Sequence, residues 1–501
     1  MRLRFHLAES WPALAWLARC ERGSDVVEIF HGVRVEVTRD WFCEAVWDRP
    51  YAAGDFDRTD LVFGSGGRLR DGLITFVSAG STVDRLQFLE TSRMALVSNS
   101  LPCVLSAAGA KVDLTYPHYF RDLSSIRLGL SRYRPTLPTT AGMTRLVYFR
   151  NIVWDGNRLH QAEKPGATRD FRSFGRYRGF LESALQRLAE NLGAVERRFP
   201  YRFLGTISSG YDSPAVAVLA QNAGLREVIS FDRARDDDGD SGLEIATQLG
   251  LGVTLVARDA WRSAPFAEVP FLAADAKGED VFFKSAEEHL HGSVLLTGFH
   301  GDKIWGKYTK SLGPDLARGD QSGLSLTEFR LRAGFLHCPV PFIGVQQIGD
   351  VNRLSRSPDL ARWDVPGEYS RPICRRIVEE AGIPRAAFGM RKKAASVLFF
   401  NGSTFLTHDA LAEYQLWLHD HADAWRRAGS EPPIPKPGMR ESALHAAVAH
   451  LSKLVTAVAP KRVAQYVRSW TDREPLFRWV FPWALDRACA VYAPLRAPQP
   501  F

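Results

Sequence analysis

The sequence predicts an α/β protein built on a parallel sheet with helices on both faces, preceded by a β-rich domain over 1–165 and followed by a helical extension over 416–501. Three observations carry this. Short apolar runs separated by turn residues fill the first third of the chain. Beyond residue 170, strand-like runs alternate with helical periodicity, as parallel strands joined by crossover helices do, which bounds a central domain at 170–415. After a proline-rich stretch, EPPIPKPG at 431–438, the pattern becomes helical as far as Tyr492.

The elements follow in order. VVEIF, LITFV and ALVSN, set between Gly, Asp, Asn and Ser clusters, read as strands of the first domain. FLESALQRLAENL (180–192) repeats its apolar positions at three and four residues and reads as an amphipathic helix. VISF (228–231), VTLV (253–256) and SVLLTG (293–298) read as strands of the parallel sheet. RESALHAAVAHLSKLVTAVA and the aromatic stretch after it read as terminal helices. No internal repeat is present.

Composition narrows the function classes. With 501 residues, 45% hydrophobic and 24% charged, the chain can fill two or three cores and is not compositionally disordered. The apolar stretch from Pro12 to Ala18 is closed off by Glu9 and Arg19 and is too short for a span, so neither export nor a membrane partner is expected. Cys20, Cys43, Cys103, Cys338, Cys374 and Cys489 stand singly, without zinc spacing; this fits a reducing, cytoplasmic setting and argues against a structural metal. The net charge of +8 comes without a long basic run. It reads as solvated surface, and nucleic acid is not an expected partner.

The stretch TISSGYDSPAVAVLAQNAG (206–224) carries the chemistry. Phe203 to Ile207 supplies a strand. Ser213 is placed to cap a helix with Pro214 at its first position, and Gly224 ends it. The six residues Ser208 to Ser213 thus form a strand-to-helix turn whose N–H groups and positive helix end suit an anion. No Walker-type Gly-x-x-x-x-Gly-Lys-Ser/Thr is present here.

Ser-x-Gly-x-Asp-Ser resembles the pyrophosphate loop, Ser-Gly-Gly-x-Asp-Ser, of ATP pyrophosphatases, with Ser209 at the first glycine. Three further segments follow in matching order. Ser230-Phe231 precedes a polar loop, RARDDDGD, and a helix ending in LGLG, as in asparagine synthetases. LLTGFHGDKIWGKY (295–308) resembles their Leu-Ser-Gly-x-Gly-Ala-Asp-Glu-Leu-Phe-Gly-Gly-Tyr, with His300 at a glycine and Lys303 at the glutamate. IPRAAFGMRKKAASV (383–397) resembles the Arg-x-Lys segment of the superfamily and the Arg-Lys-Lys of carbapenam synthetases. The chain is therefore similar to the asparagine synthetase-like superfamily, which includes β-lactam synthetases and lasso-peptide cyclases. LRDGLITFVS and MALVSNSLPCVL extend the likeness to a glutaminase-like first domain.

The resemblance implies an adenine nucleotide α-hydrolase-like central domain and an ATP-dependent, AMP-forming carbon–nitrogen ligase. ATP and Mg2+ would be bound. The partners would be a carboxylate-bearing small molecule or peptide and an amine. It assigns pyrophosphate to Ser208, Ser209, Gly210 and Ser213, and magnesium to Asp212 and Asp302. Adenosine goes against Ile207, Arg233, Thr297 and Gly298, and Lys393 to the developing negative charge of the acyl-adenylate. The glutaminase nucleophile should be a cysteine at position two; here it is Arg2, so no glutamine hydrolysis is expected unless processing exposes Cys20 or Cys43. The tyrosine that serves lactam synthetases as a base is Phe299, leaving Glu328 or His300 as substitutes. Two other readings stay open: a pyrophosphate-loop enzyme acting on tRNA, and a non-catalytic nucleotide-binding relative.

Overall fold

Alternation of apolar and polar residues shapes the first 162 residues. In strand Val26–His31 every second residue is buried, the pattern of a sheet with one face covered. The computed structural model describes residues 1–235, 239–308, 313, 315–366, 369–390, 393–398, 405–427 and 479–492. Its first part holds a seven-stranded and a six-stranded sheet. Trp16 and Phe88 of the larger sheet meet Phe42, Phe76 and Trp154 of the smaller in a shared aromatic core. Trp16 stacks on Phe76 with centroids 6.0 Å apart. VVEIF, LITFV and ALVSN all lie within strands, Val26–His31, Leu73–Val77 and Met94–Ser98.

The second part is built on five parallel strands. Their spatial order is Gly252–Val256, Glu227–Phe231, Arg202–Thr206, Ser293–Thr297, Leu336–Pro339. Successive residues point to opposite faces. Phe203, Val228, Val294 and Leu296 enter one core, with Leu181, Leu185, Val216, Leu219 and Ile377 from the helices Phe174–Leu192, Asp212–Gln221 and Pro372–Glu380. Leu204, Ile229, Phe231 and Leu295 enter another, with Phe271, Leu272, Phe481 and Trp483 from Val269–Asp275 and Val480–Ala490. Helices thus cover both faces, as a sheet of near-continuous apolar strands requires.

Some bounds differ from expectation. The helix anticipated at 180–192 begins at Phe174, where the Ser173 hydroxyl accepts the Arg176 N–H. The strand Leu336–Pro339 has no counterpart in the sequence reading. It is four residues long and buried throughout, so it shows no alternation to detect. Helices His408–Asp420, Ala422–Arg427 and Val480–Ala490 follow the central region. The proline-rich stretch at 431–438, the helix expected over 440–459, the acidic run at 236–238 and the basic and aromatic residues Arg468, Trp470, Arg473, Phe477 and Arg478 lie outside the described residues. Trp479 and Trp483 are buried against the body. Among the described residues no helix is long and apolar enough to cross a membrane.

One buried ion triad ties the two parts together. Arg330, on helix Thr327–Ala333, donates from Nη1 to Glu44 Oε2 at 2.7 Å and from Nε to Asp84 Oδ1 at 3.0 Å. Glu44 belongs to a strand of the first part, Trp41–Trp47. Its other oxygen accepts from Ser65 at 2.5 Å and Asn99 at 3.1 Å. Removing one member of such a group strands the opposite charge in a dry interior. Arg330→Ala is therefore expected to lower unfolding stability by about 3–5 kcal/mol in urea denaturation; a loss below about 1 kcal/mol would show that water reaches the triad.

Candidate functional site

The strand order dictates where a ligand can sit. The chain starts at the central strand Arg202–Thr206, builds outward to Gly252–Val256, then crosses to Ser293–Thr297 on the other side. The loops leaving Arg202–Thr206 and Ser293–Thr297 therefore part in opposite directions and open a crevice at the strands' carboxyl ends. The first of these loops is Ile207–Tyr211 and the second runs from Gly298 to His300.

Hydroxyl groups curl the first loop. Ser208 N–H donates to Ser213 Oγ at 3.0 Å, the two hydroxyls lie 3.0 Å apart, and Gly210 N–H donates to Ser208 Oγ at 3.2 Å. This corrects the capping assignment: the helix starts at Asp212, so Ser213 lies inside its first turn and folds back on the loop instead of capping. Pro214 becomes the third helical residue, where its missing N–H is still without cost. The N–H donors of Ser208 and Gly210 are thus taken up by the loop's own hydroxyls.

Asp212 is held by a close approach that only glycine permits. A β-carbon at Gly298 would stand 2.5 Å from Asp212 Cβ and 2.8 Å from its carbonyl carbon; one at Gly301 would stand 2.5 Å from both Cγ and Oδ1. The carboxylate of Asp212 thus lies against the residue preceding Asp302, and both acids line one cavity of about 1050 Å³ including its mouth. Asp240, Asp280 and Asp320 line it too, against Arg371 and Lys393 as cations. Arg371 Nη1 is ion-paired to Asp212 Oδ2, and Cys374 Sγ lies 3.6 Å from Oδ1. Lys393 Nζ donates to the Gly239 carbonyl. An anion can enter a wall so rich in carboxylates only with a cation beside it.

Ile207, Ser208, Gly210, Asp212, Ser213, Gly298, Asp302 and Lys393 all line this cavity. Ser209, Arg233 and Thr297 do not. The Ser209 hydroxyl donates to Asp240 Oδ1 at 2.7 Å, and its N–H to the Asp240 carbonyl. Thr297 is buried, with Oγ1 2.9 Å from His337 Nε2. Arg233 turns toward Asp259, 3.6 Å away. Arg391 and Lys392 lie outside the described residues.

Of the two substitute bases, Glu328 is ruled out by position. It lines a separate cavity between Pro12, Phe266 and Tyr492 and accepts from the Ser100 hydroxyl at 2.9 Å. His300 does line the site, in the left-handed conformation at φ 69°. Burial, then the Arg318 guanidinium, push its imidazole down to about 3, far too weak a base for proton transfer near neutrality. Asp280, which belongs to no motif, is pushed up to about 7 by burial and lines the cavity. Its carboxylate accepts from Gly323 N–H and Ser325 Oγ. Phe299 stands on the wall, edge-on to His337 at 5.5 Å. Cys20 and Cys43 are fully buried in sheet strands; burial pushes the Cys43 thiol up to about 12. Neither is poised as a nucleophile.

No family model and no curated protein matches the chain. Among solved structures, it is similar to a predicted subunit of tRNA methyltransferase from Methanocaldococcus jannaschii, at 14% identity and a TM-score of 0.19, over 40% of this chain and 96% of that one. A likeness at that level carries no inference about ligand or reaction.

Two measurements check this geometry. Gly298→Ala should lose about 1–3 kcal/mol of stability, because its new methyl meets helix backbone that cannot yield; an unchanged melting temperature would mean that Asp212 is not so confined. For Glu328, burial raises the folded pKa from 4.5 to about 7, so wild-type stability declines as pH rises through that window. Glu328→Gln does not titrate. Its stability relative to wild type should rise by about 3 kcal/mol between pH 4.5 and pH 8; a constant difference would place Glu328 in contact with water.

Proposed function

We propose that the chain is an asparagine synthetase-like, AMP-forming ligase. It activates a carboxylate with ATP, releases pyrophosphate and passes the acyl group to ammonia or a substrate amine without hydrolysing glutamine. The reading rests on one observation: Asp212, at the start of a helix after one strand, and Asp302, after the neighbouring strand, share a cavity with a hydroxyl-rich loop and Lys393. The crevice fits an adenine nucleotide α-hydrolase-like site at the switch in strand order.

In the proposed reaction a substrate carboxylate oxygen attacks the α-phosphorus of ATP. The bond from that phosphorus to the oxygen bridging to the β-phosphate breaks, and pyrophosphate leaves. The amine nitrogen then attacks the acyl carbon, AMP departs with the acyl oxygen, and the nitrogen loses a proton. Ser208, Gly210 and Ser213 offer the donors that pyrophosphate oxygens would take over from the loop's internal bonds. Lys393 supplies a fixed positive charge for the acyl-adenylate. Asp280 has the basicity to accept the amine proton.

Magnesium fits this donor set. Asp212 and Asp302 offer hard carboxylate oxygens, and Arg371 already holds a cationic place beside Asp212. When bound, the ion would neutralise the phosphate charge that the acidic wall otherwise repels. The Arg371 pair also favours the second reading, a nucleotide-binding relative without catalysis, because a guanidinium that never leaves Asp212 keeps magnesium away.

Incubation with ATP, Mg2+ and a panel of carboxylates and amines should release pyrophosphate and AMP, and Lys393→Met should slow this at least ~100-fold. Formation of ADP would overturn the reading. Magnesium-dependent ATP binding with no turnover on any carboxylate would favour the non-catalytic one.

A further inference from the structure

We infer that His300, Asp302 and Asp320 form a binding site for a first-row divalent transition-metal ion, such as Mn2+, in preference to Mg2+. One ligand atom from each lies within 4.8 Å of the other two. Three ligands held by one ion at about 2.1 Å stand about 3.0–3.6 Å apart, so closing this set needs side-chain shifts of up to about an ångström.

The acids alone would not make a site; the imidazole does. His300 Nε2 lies 3.2 Å from the Ser322 carbonyl, which can only accept, so the hydrogen is on Nε2. Nδ1 then carries a bare lone pair. It is buried without a hydrogen-bond partner and points at Asp320 Oδ1, 3.6 Å away. A lone pair aimed at a carboxylate is repelled by it, and a cation between the two would relieve that; the imidazole is buried while the Asp320 side chain is 42% exposed, so an ion can reach the gap. A backbone carbonyl on the opposite nitrogen is the usual support for a metal-bound histidine. Arg318 donates to the Thr82 carbonyl and to the same Ser322 carbonyl, so its guanidinium stands beside the cluster and an ion would share the acids' field with it.

The backbone also points to a constraint on this residue. His300 holds φ at 69°, a conformation that costs a side-chain-bearing residue roughly 1 kcal/mol and that glycine adopts freely. Adding an imidazole to two carboxylates moves the set away from magnesium, which prefers oxygen, and toward ions that accept nitrogen. The proposal shares Asp302 with the ligase reading but requires no nucleotide.

The test uses the full chain without ATP and Mn2+ alone as the probe. One Mn2+ should bind per chain at least ~10-fold tighter than Mg2+, and its spin-echo spectrum should show 14N coupling. His300→Gly, which relaxes the backbone, should abolish the coupling and weaken binding at least ~10-fold. Asp320→Asn should weaken binding equally, and circular dichroism would verify that each variant folds. Asp212→Asn should leave Mn2+ binding intact while removing any magnesium-dependent ATP binding. Absence of 14N coupling in the wild type, equal affinity for Mg2+, or unchanged binding in His300→Gly would overturn the site. Bound Mn2+ with 14N coupling but no pyrophosphate release would sink the ligase reading alone.

Discussion

The site depends on a steric allowance: two residues without side chains, Gly298 and Gly301, let Asp212 press against the loop leaving the adjacent strand. Neighbouring parallel strands bring their ends side by side, but with ordinary residues the following loops would stand apart. Here the backbone of one loop receives the side chain of the other. The acid, the hydroxyl loop and Asp302 consequently form one surface, and the arrangement of every polar group around the cavity follows from that contact.

Much of this was legible in the sequence because it is local. A strand, a six-residue turn and a helix leave marks at fixed spacing, so Ser208, Asp212 and Asp302 could be placed before any coordinates. The segments VISF, VTLV and SVLLTG announced their strands by apolar runs. The turn was legible in kind but not in detail, since whether Ser213 caps the helix or bends back to Ser208 depends on packing against Gly298, about 85 residues on in sequence but adjacent in space.

What escaped was non-local. Arg371 meets Asp212 across more than a hundred residues, and nothing in the short stretch Arg371-Pro372 announces a partner. Asp280 looks like any acidic loop residue; only burial gives it its altered basicity. Arg233, Thr297 and Ser209 had the right sequence neighbours, yet their side chains turn to Asp259, His337 and Asp240. A motif fixes where the backbone passes, while side-chain direction is settled by the competition for partners.

The Arg330, Glu44 and Asp84 triad has a bearing on the history open to this chain. Because the Arg330 charge on the second part is met by acids from the β-rich part, the front of the protein cannot be discarded as a unit. Individual exposed positions there are at liberty to drift; wholesale deletion is not an available step. The β-rich part is thereby masonry for the parallel sheet, whatever else it does.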